Sequence, residues 1–488
     1  MKTSTFPMQK RAYLLSLTCI AFSFTLFSQT EINGVISSDS TLTLSASPYV
    51  VSYSLQIAPG ATLTIEQGVE IRFNDYVTLV VYGTLNAQGA VFTTNVSSPE
   101  PGRWSGIRIG DGNNTGHASL TNCEVRYYQE CYVENGQLSL INSSFLDAAE
   151  HGLRVYANGT LQMSGGNVIS SSQNASSYGN GIIAHESATV ILSGVTIQNF
   201  RQGVNAYKAT LNLADITVKG AGFPVYFEGT NTLTMSGNND LESNTYKAVT
   251  INFSELNETM HLPAISYPYF FNQGFSVNET GKLTIAPNNV LKFNDYTSLN
   301  IKGILQANAT GSENITMTSI RDDNAGGDTN SDGTISAPET ASWYGIYFQN
   351  TSIDPENILR NCRIRYGGRD NRGGINTYNA SPVIDSCHLS NNPFGIFLEG
   401  TSNPSISNTT IGSSSITPLA MSFEANPVMN NNILSFSDNA YDAIGIIGGT
   451  MQANGTLKVR SFTNIPNITY FLLNSIILTE NKTPPIEK

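Results

Sequence analysis

Leu63-Thr64-Ile65-Glu66-Gln67-Gly68-Val69-Glu70-Ile71-Arg72-Phe73-Asn74-Asp75-Tyr76 returns 220 residues later as Leu283-Thr284-Ile285-Ala286-Pro287-Asn288-Asn289-Val290-Leu291-Lys292-Phe293-Asn294-Asp295-Tyr296. Gly83, Leu85 and Ala87 recur at the same offset as Gly303, Leu305 and Ala307. Further on, Trp104, Gly106, Ile107, Asn122, Cys123, Arg126 and Tyr127 return as Trp343, Gly345, Ile346, Asn361, Cys362, Arg365 and Tyr366, an offset of 239. Between those blocks the second copy has gained 19 residues, 239 − 220. Self-similarity at a fixed offset marks a repeat architecture, so the chain reads as two copies of one long unit.

A shorter period lies inside each copy. Ala380-Ser-Pro-Val-Ile-Asp-Ser-Cys387, Ser402-Asn-Pro-Ser-Ile-Ser-Asn-Thr409 and Ala425-Asn-Pro-Val-Met-Asn-Asn-Asn432 begin 22 and 23 residues apart. In the first copy, segments opening at Gln137, Thr160, Thr189, Thr210 and Thr232 follow at spacings of 23, 29, 21 and 22. Each carries short alternating runs, such as Gly395-Ile-Phe-Leu-Glu399, between Asn, Ser and Gly turns. A coil of two or three such strands can bury its inward residues only against the coils above and below. Asn361, Ser386, Asn408 and Asn431 share one coil position, where a side chain can bond its own turn and the next coil.

These repeats resemble the right-handed parallel β-helix proteins of the pectate-lyase-like superfamily, in their generic secreted bacterial form. The resemblance covers roughly residues 50 to 470. It implies an all-β right-handed solenoid of ~22-residue coils; as to activity, the superfamily holds lyases, hydrolases, adhesins and carrier-type proteins.

Composition agrees with strands and turns. Of 488 residues only 13% are charged, about half the usual share, and the length exceeds what one globular core normally fills. A net charge of −12 without a dense Lys/Arg cluster disfavours nucleic acid as a partner. Lys10 and Arg11 precede an apolar run, Ala12 to Phe27, closed by Ser28 and Gln29, which reads as an export signal over residues 1–28. Its 16 residues fall short of the ~20 that span a bilayer, and no second run reaches that length, so no membrane span is expected after signal removal and the destination is secreted or cell-surface. Cys19 lies within the run and is not placed as a lipoprotein cysteine. The expected organisation is a lead-in over 29–49, β-helix units over 50–266 and 267–467, and over 468–488 the start of a third unit or a truncated end, where Tyr470-Phe-Leu resembles Tyr269-Phe-Phe.

The sharpest local motif lies in the inserted residues. Asp328-Thr-Asn330-Ser-Asp332-Gly333-Thr334-Ile335-Ser336-Ala-Pro-Glu339 fits the calcium-loop pattern D-x-N-x-D-G-x5-E, with Asp328, Asn330, Asp332, Thr334 through its carbonyl, and Glu339 as oxygen ligands for calcium. Pro338 and the non-helical flanks point to an orphan loop on a solenoid instead of a helix-loop-helix hand.

No complete catalytic set stands out. Asp322-Asp323 is the only adjacent Asp pair and leads into that loop; His151-Gly152 with Arg154 resembles a fragment of a hydrolase signature; Arg126 and Arg365 are duplicated, which suits packing. Aligning coils on their strand-opening Gly sets Tyr156, His185, Tyr207, Tyr226 and Tyr378 on an outward column, with Arg154, Asn205, Asn376 and Glu399 among them. Such a column suits sugar, because flat rings cover C–H faces while amides and acids bond hydroxyls, and it equally suits rings stacking on one another. Cys362 and Cys387 fall one coil apart, compatible with a disulfide or two stacked thiols; Cys123 and Cys131 are close enough to bridge locally. The expected role is a noncatalytic glycan-binding, adhesive or structural module, with polysaccharide or cell-surface glycan as partner, and a polysaccharide lyase or glycoside hydrolase as the alternative.

Overall fold

The structure, a computed structural model, describes residues 29–172, 179–429, 435–450, 457–462 and 465–477. The export segment with Cys19, the turn residue Asn431 and residues 478–488 of the anticipated third unit lie outside the described residues.

Alternation decides the local structure. In Thr62–Ile65, Glu70–Phe73 and Thr78–Val81 every second residue is apolar, and Leu63, Ile65, Ile71, Phe73, Leu79 and Val81 are all at most 1% exposed. A strand points successive side chains to opposite sides, so one half of each strand faces a shared interior. The next coil then lies in register on the last, Leu55 against Leu79 and Leu63 against Leu85, with all strand pairs parallel. The result is an all-β solenoid of about 19 turns with coils about 23 residues apart, as the repeats predict. One hydrophobic core runs unbroken from Leu42 to Ile468 through both copies. Among the described residues no helix is long and apolar enough to cross a membrane.

Asn residues handle the turns. Asn122, Asn142, Asn361 and Asn408 adopt φ near +50°, a left-handed conformation that Asn tolerates better than most side chains. Ser386, at the coil position of Asn361 and Asn408, does the same at +57°. A second, fully buried set bridges coils: Asn357 Oδ1 accepts from the Leu305 N–H at 2.7 Å while its Nδ2 donates to the Gly303 and Ile353 carbonyls. Backbone groups at the corners, which the strand ladders cannot reach, are satisfied this way. The strand-opening glycines have a related cause. A Cβ on Gly152, Gly181 or Gly203 would sit 2.4 to 2.6 Å from a backbone oxygen of the following coil.

The two copies repeat particular interior contacts. Trp104 stacks on Phe73 at 4.1 Å and Trp343 on Phe293 at 4.2 Å, and each indole N–H donates to the carbonyl 22 residues on, of Arg126 and of Arg365. They do not stack as a simple translation, however. Tyr49–Val51 belongs to a nine-stranded sheet that ends at Thr217–Lys219, whereas its counterpart Tyr269–Phe271 continues the sheet begun by Gly34–Ile36 and Leu55–Ile57. The counterpart of Leu55–Ile57, Phe275–Val277, lies in a different sheet, which opens at Glu255–Leu256. The second copy is thus displaced by one face around the axis. Among the described residues one sheet passes through both copies, an open ladder of 17 strands from Gly34–Ile36 to Ser435–Ser437. The insertion is also divided. Phe92 pairs with Ile71 as Met317 pairs with Leu291, an offset of 225, so 5 residues enter before Ile315–Ser319 and the other 14 between that strand and Trp343.

Candidate functional site

The outer surface of the continuous sheet differs between its halves. In the first copy the outward side chain of successive coils is Arg108, Tyr132, Arg154, Ile183 and Asn205, in direct register. Just past those strand ends, Tyr156, His185, Tyr207 and Glu228 form a parallel column, held by His185 N–H to Val155 O, Tyr207 N–H to Ala184 O and Glu228 N–H to Ala206 O. The imidazole of His185 lies flat on Tyr156, centroids 4.8 Å apart and planes 3° from parallel, and Tyr132 meets Tyr156 edge-on at 5.6 Å. Arg154 ties these rings to the acids: it donates to the Tyr156 hydroxyl at 2.7 Å and pairs with Glu130 at 2.9 Å. A groove of about 390 Å³ runs beside them, lined by Arg108, Gln129, Glu130, Tyr132 and Glu150.

Burial within this strip perturbs its titratable groups. The Glu130 carboxyl is pushed above the usual carboxylate range, mainly by burial, with Glu150 adding repulsion and Arg154 opposing. His151 and His185 are both lowered, first by burial and then by the Arg154 charge. The His151 ring is held as acceptor, its Nδ1 taking the Asn180 N–H at 3.1 Å. A histidine lowered on folding binds fewer protons than its unfolded form below about pH 6.5, so stability falls as pH drops through that window. In an NMR titration the His151 and His185 imidazoles should both titrate below 6.5, and either one titrating above it would contradict the buried, Arg-flanked geometry.

From Tyr226 onward, across the end of the first copy and into the second, the same sheet surface is sealed. Tyr226, Thr250, Phe270, Lys292 and Thr318 continue the outward column, and each is at most 6% exposed. Phe223, Tyr246 and Phe270 stack at 4.9 Å spacings into a small outer core with Ala248 and Ile320. The inserted residues 320–342 lie over the rest: Lys292 donates to the Gly327 carbonyl, the Lys247 N–H to Thr329, and Ser331 to Asn244. Beneath this cover Asp322, fully buried, pairs with Arg365 at 2.7 Å and accepts from Thr318 at 2.6 Å.

The sequence-derived sites are partly reassembled by this geometry. Tyr156, His185 and Tyr207 fall together on the open half, Tyr207 with Lys208 above its ring. Tyr226 points outward but is covered by Phe223 at 5.0 Å, so its ring face is not free. Tyr378 is half exposed but belongs to the sheet that opens at Glu255–Leu256, in register with Glu399, because the one-face displacement carries it off the shared column. Tyr132, Arg108 and Glu130 escaped notice because the Cys131–Val133 strand opens without a glycine, although Arg108 two residues after Gly106 obeys the rule that found the others.

The acidic loop also closes differently from a calcium hand. Asp323, Asp328 and Asp332 present oxygens within 4.8 Å of one another, while Glu339 lies outside this group and is exposed, as is Thr334. Asp328 is engaged by the Asp332 and Gly333 N–H groups and by Lys247 at 3.5 Å; Asn330 and Ser336 donate to Asp332. One oxygen each of Asp323, Asn330 and Asp332 is buried without a hydrogen-bond partner. The four cysteines among the described residues, Cys123, Cys131, Cys362 and Cys387, are buried free thiols, the last two on successive coils.

Residues 329–483 match the family model of the right handed beta helix region. The fold of the described residues is that of a right-handed-type parallel β-solenoid. No curated protein matches this β-helix in sequence. Among solved structures it is similar to a double mutant of the tailspike protein of E. coli bacteriophage HK620, at 11% identity over 78% of this chain and 72% of that chain, TM-score 0.21. It is also similar to a mutant of that tailspike in complex with a hexasaccharide, at 10% identity over 80% and 71%, TM-score 0.23.

Proposed function

We propose that the protein is an exported β-helix that holds glycan, without cleaving it, on the open half of its continuous sheet. The observation that carries this reading is the contiguous ladder Tyr132, Tyr156 and His185 beside a polar groove, on the part of the continuous sheet that the inserted loop leaves uncovered. Ring faces cover sugar C–H surfaces and the neighbouring amides and acids bond hydroxyls. Replacing Tyr132 and Tyr156 together by Ala should retard the protein at least about tenfold less on a gel containing its polysaccharide, at unchanged melting temperature, since two lost ring contacts are worth about 1 to 3 kcal/mol. Equal retardation of the double variant would remove the platform.

A hydrolase is the second reading, favoured by Glu130, a carboxyl raised by burial, in the same groove as Glu150. Release of reducing ends that Glu130→Gln abolishes would establish it in place of the binding-only reading.

Calcium enters the proposal as a stiffener of the inserted loop, with Asp323 taking the place that the motif gives to Glu339. The three unpartnered oxygens on Asp323, Asn330 and Asp332 fit a hard cation, which takes oxygen ligands only. Millimolar calcium should raise the melting temperature of the parent and leave an Asp323→Asn, Asp332→Asn variant unmoved, whereas Glu339→Gln should respond like the parent. A response lost with Glu339→Gln alone would restore the motif's ligand set.

A further inference from the structure

Resting on the glycan reading, we infer that the groove beside Tyr132 and Tyr156 takes uncharged sugars and turns away uronates. The inference comes from which charges are already spoken for. Both guanidiniums of the strip are committed: Arg154 to Glu130 at 2.9 Å and to the Tyr156 hydroxyl, Arg108 to Asp111 at 3.5 Å with its guanidinium 5.5 Å over the Tyr132 ring. The two imidazoles nearby are lowered and neutral at pH 7, and a proton on either would face Arg154. The carboxylates are not all matched. Glu134 and Glu150 have neither an ion pair nor a hydrogen bond among the described residues, and with Asp111 and Glu130 they set four negative charges against two positive.

A uronate entering this strip brings a carboxylate for which no free cation is available, next to acids whose charge is uncompensated. A neutral sugar brings hydroxyls, and an unpaired carboxylate accepts from a hydroxyl in a short, charge-assisted bond. The rings serve either kind of sugar, so charge, and not stacking, sets the choice. Two like charges a few ångströms apart near a protein surface repel enough to weaken binding on the order of tenfold or more.

The test uses the full chain in affinity electrophoresis on two groups of gels. One contains neutral polysaccharides: galactomannan, xyloglucan, mixed-linkage β-glucan, starch. The other contains polygalacturonate and alginate. Retardation by a neutral polysaccharide, unchanged between 50 and 500 mM salt and at least tenfold stronger than by either uronate, is the expected result. A Glu134→Gln, Glu150→Gln variant should narrow that gap by admitting uronate. Retardation by a uronate in preference overturns the inference and leaves the glycan reading standing. Retardation by neither group overturns both.

Discussion

Asp322→Ala is expected to lower the stability of the protein by about 3 kcal/mol and to open residues 320–342 to protease. Asp322 is fully buried, and its one engaged oxygen takes both the Arg365 guanidinium and the Thr318 hydroxyl. Truncation leaves a partly buried cation and a buried hydroxyl without partners, and breaking a buried pair from one side costs far more than the pair is worth. The estimate sits at the low end because a quarter of the Arg365 side chain still meets water. Lys292 amplifies the effect. Its ammonium is fully buried and pushed down to about 8 by that burial, against the opposing pull of Asp323, Asp322 and Asp328. A lysine lowered on folding costs stability in full below about pH 8, and that cost is relieved as pH climbs toward the unfolded value near 10.5. Removing Asp322 takes away part of that opposing pull and lowers the ammonium further, so the variant's extra loss should be full at low pH and shrink as pH rises toward 8. Asp323→Ala is the control, because Asp323 is partly exposed and its carboxyl is already raised, first by burial and then by Asp328. A D322A protein within about 1 kcal/mol of the parent, with no new cleavage in the loop, would mean that the loop is not held from beneath.

The contrast between those adjacent acids shows where the sequence stops being readable. Asp322 and Asp323 look alike in the chain, and only the coil beneath them assigns one to Arg365 and the other to the loop surface. Coil length, strand alternation and the Asn corners were legible because each is fixed by neighbours one period away, as Leu63 and Leu85 illustrate. The duplication was legible too, but not the displacement by one face, because it arises in the stretch between Thr232–Ser236 and Tyr269–Phe271, where only scattered residues such as Leu262 and Pro268 repeat Leu42 and Pro48. That displacement is what separates Tyr378 from Tyr156. It also explains why the duplicated arginines part company: Arg126 pairs with Glu124 on its own strand, while Arg365 reaches the inserted Asp322. Shared residues such as Phe73 and Phe293 therefore report the coil, and the function must be sought where the two copies differ.

Trp343→Ala should be the more damaging of two matched substitutions. Trp104 and Trp343 are both fully buried, both stacked on a Phe of the preceding coil, and both hydrogen-bonded through the indole to the following coil. Truncating either leaves a cavity between the coils it joins and costs about 3 to 5 kcal/mol. In a solenoid each coil touches only its neighbours, so that loss falls locally and the ladder is expected to melt in two steps, the damaged copy first. For Trp104→Ala the early step should be confined to the first copy, with residues 320–342 still resistant to protease. Trp343 closes the inserted loop, and its indole fixes the carbonyl of the same Arg365 that holds Asp322. Its loss should therefore melt the second copy and release the loop together. Trp343→Phe keeps the stack and gives up one hydrogen bond, so it should cost only about 1 to 2 kcal/mol and keep the loop closed. Denaturation monitored with proteolysis separates these outcomes: a single transition in all three variants would show that the two copies unfold as one body and that the loop reports nothing about the coil beneath it.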